Sequence, residues 1–157
     1  MTAANEETGG DPNSLENFIT ARLSRTHAIV VQQASQLLRE KANLSLVQWR
    51  IIALLKAFGP STSVDLIEYS KMDKGLLSRN VKQLVADGVV TSELDRDDHR
   101  QHILSLSATG EDIHQRTEPF MQARRIHLLE GISEQERELF YSVLERLDTN
   151  AKRHEFP

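Results

Sequence analysis

The segment from Lys74 to Leu106 places the strongest constraint on the fold, because a helical pattern in it gives way at once to two segments rich in β-formers. Apolar residues recur at helical spacing over its first half and predict one buried stripe, made of Leu77, Val81, Leu84 and Val85. Asp87-Gly88 ends the helix, since glycine readily adopts the left-handed conformation that helix ends favour. VVTSEL and QHILSL then flank the loop 95–100, which predicts a hairpin.

A second face of the predicted helix is polar and has no acidic residue. Gly75, Ser78, Arg79 and Lys82 recur on it at helical spacing. A small residue, a hydroxyl group and two cations suit the floor of a DNA major groove, where bulk clashes and hydrogen-bond donors are useful. The helix and the hairpin together therefore predict a recognition helix followed by a wing. The residues alone leave one alternative open, a solvated helix face that contacts nothing.

Three more helices are predicted upstream of this segment. The first covers residues from about 14 to 40. Ser45 and Gln48 have the spacing of a capping box, which opens a second helix that Gly59-Pro60 ends. A short third helix at about 63–69 leads to Asp73, a favourable N-cap for the recognition helix. Two short helices joined by a tight turn predict a helix-turn-helix.

Two long helices are predicted downstream, at about 108–129 and 134–152. A second capping box opens the last of them at Ser133, and Pro119 predicts a kink in the other. The last helix has the apolar stripe Leu139, Phe140, Val143, Leu144 and Leu147. A reader domain of about 60 residues cannot cover such stripes, so we expect a second copy to cover them. A two-fold dimer would present its recognition helices about 34–36 Å apart, to a near-palindromic site.

Composition excludes several classes of protein. The chain has no cysteine, which excludes disulfides, thiolate catalysis and thiol-based redox sensing. We expect a cytoplasmic location and no membrane contact, because no apolar run approaches the roughly 20 residues that span a bilayer and residues 1–12 lack the features of a signal peptide. No nucleophile elbow, phosphate-binding glycine loop or zincin-type histidine pair is present, so neither an enzyme nor a cofactor is expected.

The net charge of −4 does not by itself predict a DNA-binding protein, but charge acts locally. The span from Lys71 to Lys82 has four cations and one acid, whereas four acids lie within residues 1–16. An acidic body with a basic patch limits non-specific DNA binding while it keeps phosphate contacts at the patch. The charge distribution is therefore compatible with DNA binding.

Several motifs, in this order, resemble the MarR family of bacterial winged helix-turn-helix transcriptional regulators. They are LVQWRIIALL at residues 46–55, Gly59-Pro60, DKGLLSR at 73–79 and LSLSATG at 104–110. The resemblance implies a mostly α (α+β) fold, a winged helix-turn-helix with a two-stranded wing. It also implies one domain at 13–157. Within that domain, 43–107 would be the winged helix-turn-helix, and 13–42 and 108–157 the dimerisation helices. Residues 1–12 are polar, acidic and contain glycine, so we expect a disordered tail there.

The resemblance implies a homodimeric repressor of double-stranded DNA operators, released by a small aromatic or phenolic effector. The DNA-binding residues it implies are Lys74, Gly75, Leu76, Ser78, Arg79, Asn80, Lys82, Arg96, His99 and Arg100. The family wing often reads Asp-x-Arg-x-x-Arg, and here Asp97 takes the place of the middle arginine. Either Arg96 or Arg100 is then expected in the minor groove, where the negative potential of narrow A·T-rich tracts attracts arginine.

Candidate effector contacts are His27, Trp49 and Arg50, near the expected junction of the two helical layers. Arg50 can hold a carboxylate through two hydrogen bonds, although a salt bridge to Asp65 is an equal alternative, and Trp49 lies on a helix apolar enough to be core. His114 and His127 are expected at the surface or between helices.

Two further alternatives concern a metal and the function of the whole chain. Asp98, His99 and His102 suggest a metal site, but a hairpin separates them and a fourth ligand is missing; no metal is expected. For the whole chain, the alternative function is a winged-helix module for protein–protein contact that does not read DNA.

Overall fold

The computed structural model describes residues 18–95 and 100–153. The elements within these ranges are α1 (Ile19–Ala42), α2 (Leu46–Phe58), β1 (Ser61–Thr62), α3 (Ser63–Ser70), α4 (Lys74–Ala86), β2 (Val90–Leu94), β3 (His102–Leu106), α5 (Ala108–Leu128) and α6 (Glu134–Ala151). The predicted helices and the predicted hairpin are confirmed. Except at the start of the first helix, the ends of these elements differ from the predicted ends by at most two residues. The first helix begins at Ile19, after Phe18 in an extended conformation, and therefore later than the predicted start at about residue 14. Residues 14–17 and the predicted tail at 1–12 lie outside the described residues.

Side-chain caps set where the helices of the helix-turn-helix begin. Ser45 and Gln48 form the predicted capping box at the start of α2, and the Asp73 carboxylate accepts from the backbone N–H of Leu76 at 2.8 Å, which starts α4. A capping box that was not predicted opens α3, where Thr62 and Asp65 bond reciprocally. Lys71 takes a left-handed conformation after α3, with φ of 54°, and turns the chain towards α4.

The sheet has three antiparallel strands in the order β1-β3-β2; β2 and β3 form the predicted two-stranded wing, and β1 was not predicted. Val90 lies opposite Leu106 on one side of β3, and Ser61 lies opposite Leu104 on the other. The added strand β1 has only two residues, which is too short to show an alternating pattern in the sequence. It anchors the base of the hairpin to the chain that follows α2.

The core of the unit that ends at residue 118 lies between α2, α4 and the sheet. The side chains of α2 and α4 that face it are almost fully buried: Ile51, Ile52, Leu55, Leu77 and Leu84. Val85 was predicted in the same stripe, and that prediction is wrong, because 37% of its surface is exposed. The buried stripe of α4 is narrow, and Val85 lies at its edge, next to the polar face.

The start of α5 packs tightly against the sheet within the same unit. The Ser107 hydroxyl lies 2.6 Å from the backbone oxygen of Gly88 and accepts from the N–H of Gly110. A Cβ at Gly110 would collide with the backbone oxygen of Val89, so this close approach requires glycine. The sequence SATG at 107–110 therefore fixes the join between the sheet and α5.

Beyond residue 118, the described residues form a second compact unit. None of the α6 residues is buried, and large apolar side chains are exposed at Ile126, Ile132, Leu139, Phe140 and Tyr141. The predicted capping box of α6 is confirmed, with Ser133 and Glu136 bonded reciprocally. Pro119 lies inside α5, where the kink remains a prediction, as does the single domain over 13–157.

None of the described helices combines the length and the apolar character needed to cross a bilayer.

Candidate nucleic-acid interface

The polar face predicted for α4 lies at the surface. Gly75, Ser78, Arg79 and Lys82 are all exposed, and so is Lys74 at the first position of the helix. The core-facing residues of α4 lie on the opposite side of the helix. Buried and exposed side chains therefore occupy different faces, as the helical period requires. The structure thus brings five of the ten predicted DNA contacts together on one exposed face.

The cations of this face are available for a ligand. Lys74, Arg79 and Lys82 form no ion pair or side-chain hydrogen bond with any residue in 18–95 or 100–153. The acids at the two ends of α4 are engaged by uncharged groups, since Asp73 caps the helix and Asp87 accepts from the Gln83 amide at 2.9 Å. A ridge whose three cations are unpaired within these ranges suits phosphate and base-edge acceptors.

Two weaker candidates on α4 are less accessible. Leu76 and Asn80 are half-buried. The Asn80 side-chain amide donates to the backbone oxygen of Leu76 at 2.9 Å, so one of its donors is already used within the helix. A base contact by Asn80 would compete with this bond.

The wing is described only in part. The N–H of Asp95 donates to the backbone oxygen of Gln101 at 3.0 Å and closes the hairpin next to the tip. Arg100 is exposed at this end, whereas Arg96 and His99 lie outside the described residues. His102 approaches the Ser92 hydroxyl at 3.1 Å through Nδ1. Asp98, which belonged to the metal alternative with His99 and His102, also lies outside the described residues.

A groove of about 380 Å³ lies beside α2, lined by Trp49, Arg50, Ala53, Leu54 and Ser70. It contains two of the three predicted effector contacts. Trp49 is 4% exposed, so it is a core residue that also borders the groove. His27 is exposed on α1 and is not among the residues that line this groove.

The surroundings of Trp49 and Arg50 refine the sequence interpretation. The Asp65 carboxylate accepts from the N–H and hydroxyl of Thr62, and Arg50 has no ion pair in the described part of the chain. The alternative salt bridge between Arg50 and Asp65 is therefore absent. The His114 ring stacks on Trp49 with centroids 5.4 Å apart and an angle of 16°. Sequence reasoning predicted His114 at the surface or between helices and gave no sign of this contact.

Comparison with known proteins agrees with this geometry. Residues 42–101 match the model of the MarR family. An HTH-type transcriptional regulator of Bacillus anthracis is 21% identical over 146 residues, which cover 92% of this chain and 97% of the relative. The HTH-type transcriptional regulator YxaD of Bacillus subtilis (strain 168) is 26% identical over 110 residues, covering 70% of this chain and 77% of that protein.

Solved structures share the fold. A MarR/EmrR family transcriptional regulator from Acinetobacter sp. ADP1 superposes with a TM-score of 0.79 at 21% identity, over 88% of this chain and 97% of the other. MepR of S. aureus, solved in complex with DNA, gives a TM-score of 0.79 at 18% identity, over 88% and 100%. BpsR of Bordetella bronchiseptica, whose DNA binding is regulated by 6-hydroxynicotinic acid, gives a TM-score of 0.66 at 16% identity, over 81% of this chain and 98% of BpsR.

A helix-turn-helix joined to a β-hairpin, with a basic and exposed second helix, defines the class of winged helix-turn-helix DNA-binding proteins. Within this class, residues 42–101 are similar to the MarR family of transcriptional regulators, and the chain shares the fold of a solved MarR/EmrR family regulator. The family model that residues 42–101 match and the HTH-type relatives are those of transcriptional regulators, which are not enzymes.

Proposed function

We propose that this chain is a homodimeric transcriptional repressor that binds a near-palindromic operator and is released by a small aromatic or phenolic acid. The observation that supports this most strongly is the exposed face of α4, where Ser78, Arg79 and Lys82 stand opposite the buried stripe. A hydroxyl and two cations with no acid among them fit the acceptor-rich edge of a major groove. The fold shared with MepR, which was solved with DNA, supports the same placement.

The proposed energetics divide between two kinds of contact. Lysine ammonium groups such as that of Lys82 contact phosphates, and these contacts set affinity and its dependence on salt. Arg79 is assigned to a base edge, because a guanidinium can donate two parallel hydrogen bonds to guanine and so distinguish sequences. Arg100 and the rest of the wing are assigned to the minor groove.

The proposed dimer explains why apolar side chains remain at the surface. The faces of α1, α5 and α6 expose side chains that a single chain leaves in solvent, among them Ile29, Ile126, Leu139, Phe140 and Tyr141. Exposed apolar area of this kind marks an interaction surface in a folded protein. A two-fold dimer would cover it and would fix the spacing of two α4 helices at successive major grooves.

The proposed effector site is the groove beside α2. Trp49 supplies an aromatic wall, and Arg50 has a guanidinium with no ion pair among the described residues, which can hold a carboxylate through two hydrogen bonds. BpsR, which shares the fold, responds to the aromatic acid 6-hydroxynicotinic acid. Release from DNA then requires that the acid bind one dimer shape more tightly than the other.

The test starts from DNA selected out of a random pool by the full chain. The Arg79→Ala variant should lose about 1–3 kcal/mol of operator binding and should relax selectivity at one position in each half-site. Arg116→Ala is the matched control, because Arg116 is an exposed helical arginine that pairs with Asp112 away from α4. A panel of aromatic acids is then added to the complex, and displacement identifies the effector.

Binding by Arg79→Ala with unchanged affinity and unchanged selectivity would show that the recognition face is assigned wrongly. If the selection enriches no sequence at all, the chain does not read DNA, and the protein–protein module becomes the better assignment.

A further inference from the structure

The start of α4 brings an acid and the proposed base-reading arginine to the same open position. Gly75 has no side chain, and a Cβ built there would lie 3.2 Å from Asp73 Oδ1 and 3.7 Å from Arg79 Nη1. Arg79 is four residues after Gly75, and helical side chains point back towards the N-terminus. The Arg79 side chain therefore lies back along the helix, over Gly75 and towards the carboxylate of Asp73.

The carboxylate is held in place independently of Arg79. Its Oδ1 accepts from the N–H of Leu76 at 2.8 Å, as the N-cap of α4. Arg79 makes no ion pair in residues 18–95 or 100–153, so Asp73 attracts the guanidinium without neutralising it in a direct bond. A fixed negative group that borders the same open position at Gly75 favours one orientation of a side chain that otherwise has many rotamers.

We propose that Asp73 is a positioning residue for DNA readout, which holds Arg79 across the open surface of Gly75 in the orientation that a base edge requires. This inference rests on the proposed function, in which Arg79 reads a base. Ordering the guanidinium before binding lowers the entropy lost on contact, and the gain applies only to the sequence that Arg79 fits. Asp73 thus contributes to selectivity, although its negative charge opposes binding to DNA phosphates in general.

Asp73→Asn tests this role, because asparagine caps a helix about as well as aspartate and removes only the charge. The variant should bind random-sequence DNA more tightly, since an acid near the phosphates is gone. Its ratio of operator to random-sequence affinity should fall at least about threefold, which is part of the roughly 5- to 150-fold discrimination that one bidentate base contact supplies. The thermal unfolding midpoint should remain close to that of the unmodified protein.

Asp87→Asn is the matched control, since it removes the same charge from the other end of α4, where Asp87 accepts from Gln83. This control should leave the affinity ratio unchanged. In an Arg79→Ala background, Asp73→Asn should no longer lower the ratio, because the residue it positions has been removed.

The inference is overturned if Asp73→Asn changes the ratio no more than Asp87→Asn does, or if its effect persists without Arg79. Failure of the proposed function is a separate result. It would appear as an Arg79→Ala variant that keeps full selectivity, or as an unmodified chain with no sequence preference.

Discussion

Lys82 and Arg79 lie three residues apart on α4, yet their contributions to binding should be separable by salt. Lys82→Ala should weaken binding to operator and random DNA by similar factors, because an ammonium group on a phosphate carries no sequence information. The slope of log affinity against log salt should become shallower by about one unit, as one phosphate contact is lost. Affinity measured by fluorescence anisotropy over a salt series checks this.

Lys41→Ala is the control for that measurement, since Lys41 is exposed on α1 in the same unit. A steep loss of selectivity in Lys82→Ala, with an unchanged salt slope, would place Lys82 on a base instead of a phosphate.

Individual residues also show what the sequence could and could not predict. The exposure of Ser78, Arg79 and Lys82 followed from helical period alone, because apolar and polar positions separate cleanly on α4. The surroundings of Trp49, which lies in the core and also borders the groove, did not follow from the helical period. The His114 ring that stacks on its indole is 65 residues away in the chain. Contacts between distant residues leave no local signal in one sequence.

At the scale of elements, the capping box of α6 makes a pH-dependent contribution to stability. Hydrogen bonds from the Ser133 side chain and then from its backbone lower the pKa of Glu136 below its ordinary value of 4.5. A lowered folded pKa means that the stabilisation is fully present above about pH 4.5 and is lost as pH falls through the folded value.

Glu136→Gln tests this contribution, since glutamine can complete a capping box without a titrating group. The unmodified protein should be more stable than the variant at about pH 6, and the difference should shrink towards about pH 3, as measured by urea unfolding. In a Ser133→Ala background the pH-dependent part of the difference should shrink but persist, because the backbone N–H of residue 133 still donates to the Glu136 carboxylate. A difference that stays constant over this pH range would contradict the assignment.

Elements differed in how far sequence could predict them, for physical reasons. The helices were predicted because caps such as Ser45 and Asp73 and the apolar period mark them locally. Strand β1 was missed because two residues have no period, and its existence depends on pairing with β3. Val85 was assigned to the core because a stripe drawn from period alone has no defined width.

At the scale of the whole molecule, assembly is the property on which the proposed function depends. Phe140→Glu should shift the chain from dimer to monomer, because a charge would be buried at an apolar interface. Binding to the full operator should then fall towards that of a half-site. Analytical ultracentrifugation and binding to full and half operators measure the two effects.

Ser142→Glu introduces the same charge on α6 at an exposed polar position, about 200° around the helix from Phe140, and should leave the dimer intact. A Phe140→Glu variant that sediments as a dimer and binds the full operator normally would place the interface elsewhere.

Gly110 packs directly against the backbone of Val89, and the Ser107 hydroxyl bonds to both Gly88 and Gly110. These contacts join the first turn of α5 to the base of the hairpin. Because not even a methyl group fits between Gly110 and Val89, these two elements are packed too closely to shift past each other. In the proposed complex with DNA, a displacement of that end of α5 would therefore also displace the base of the wing.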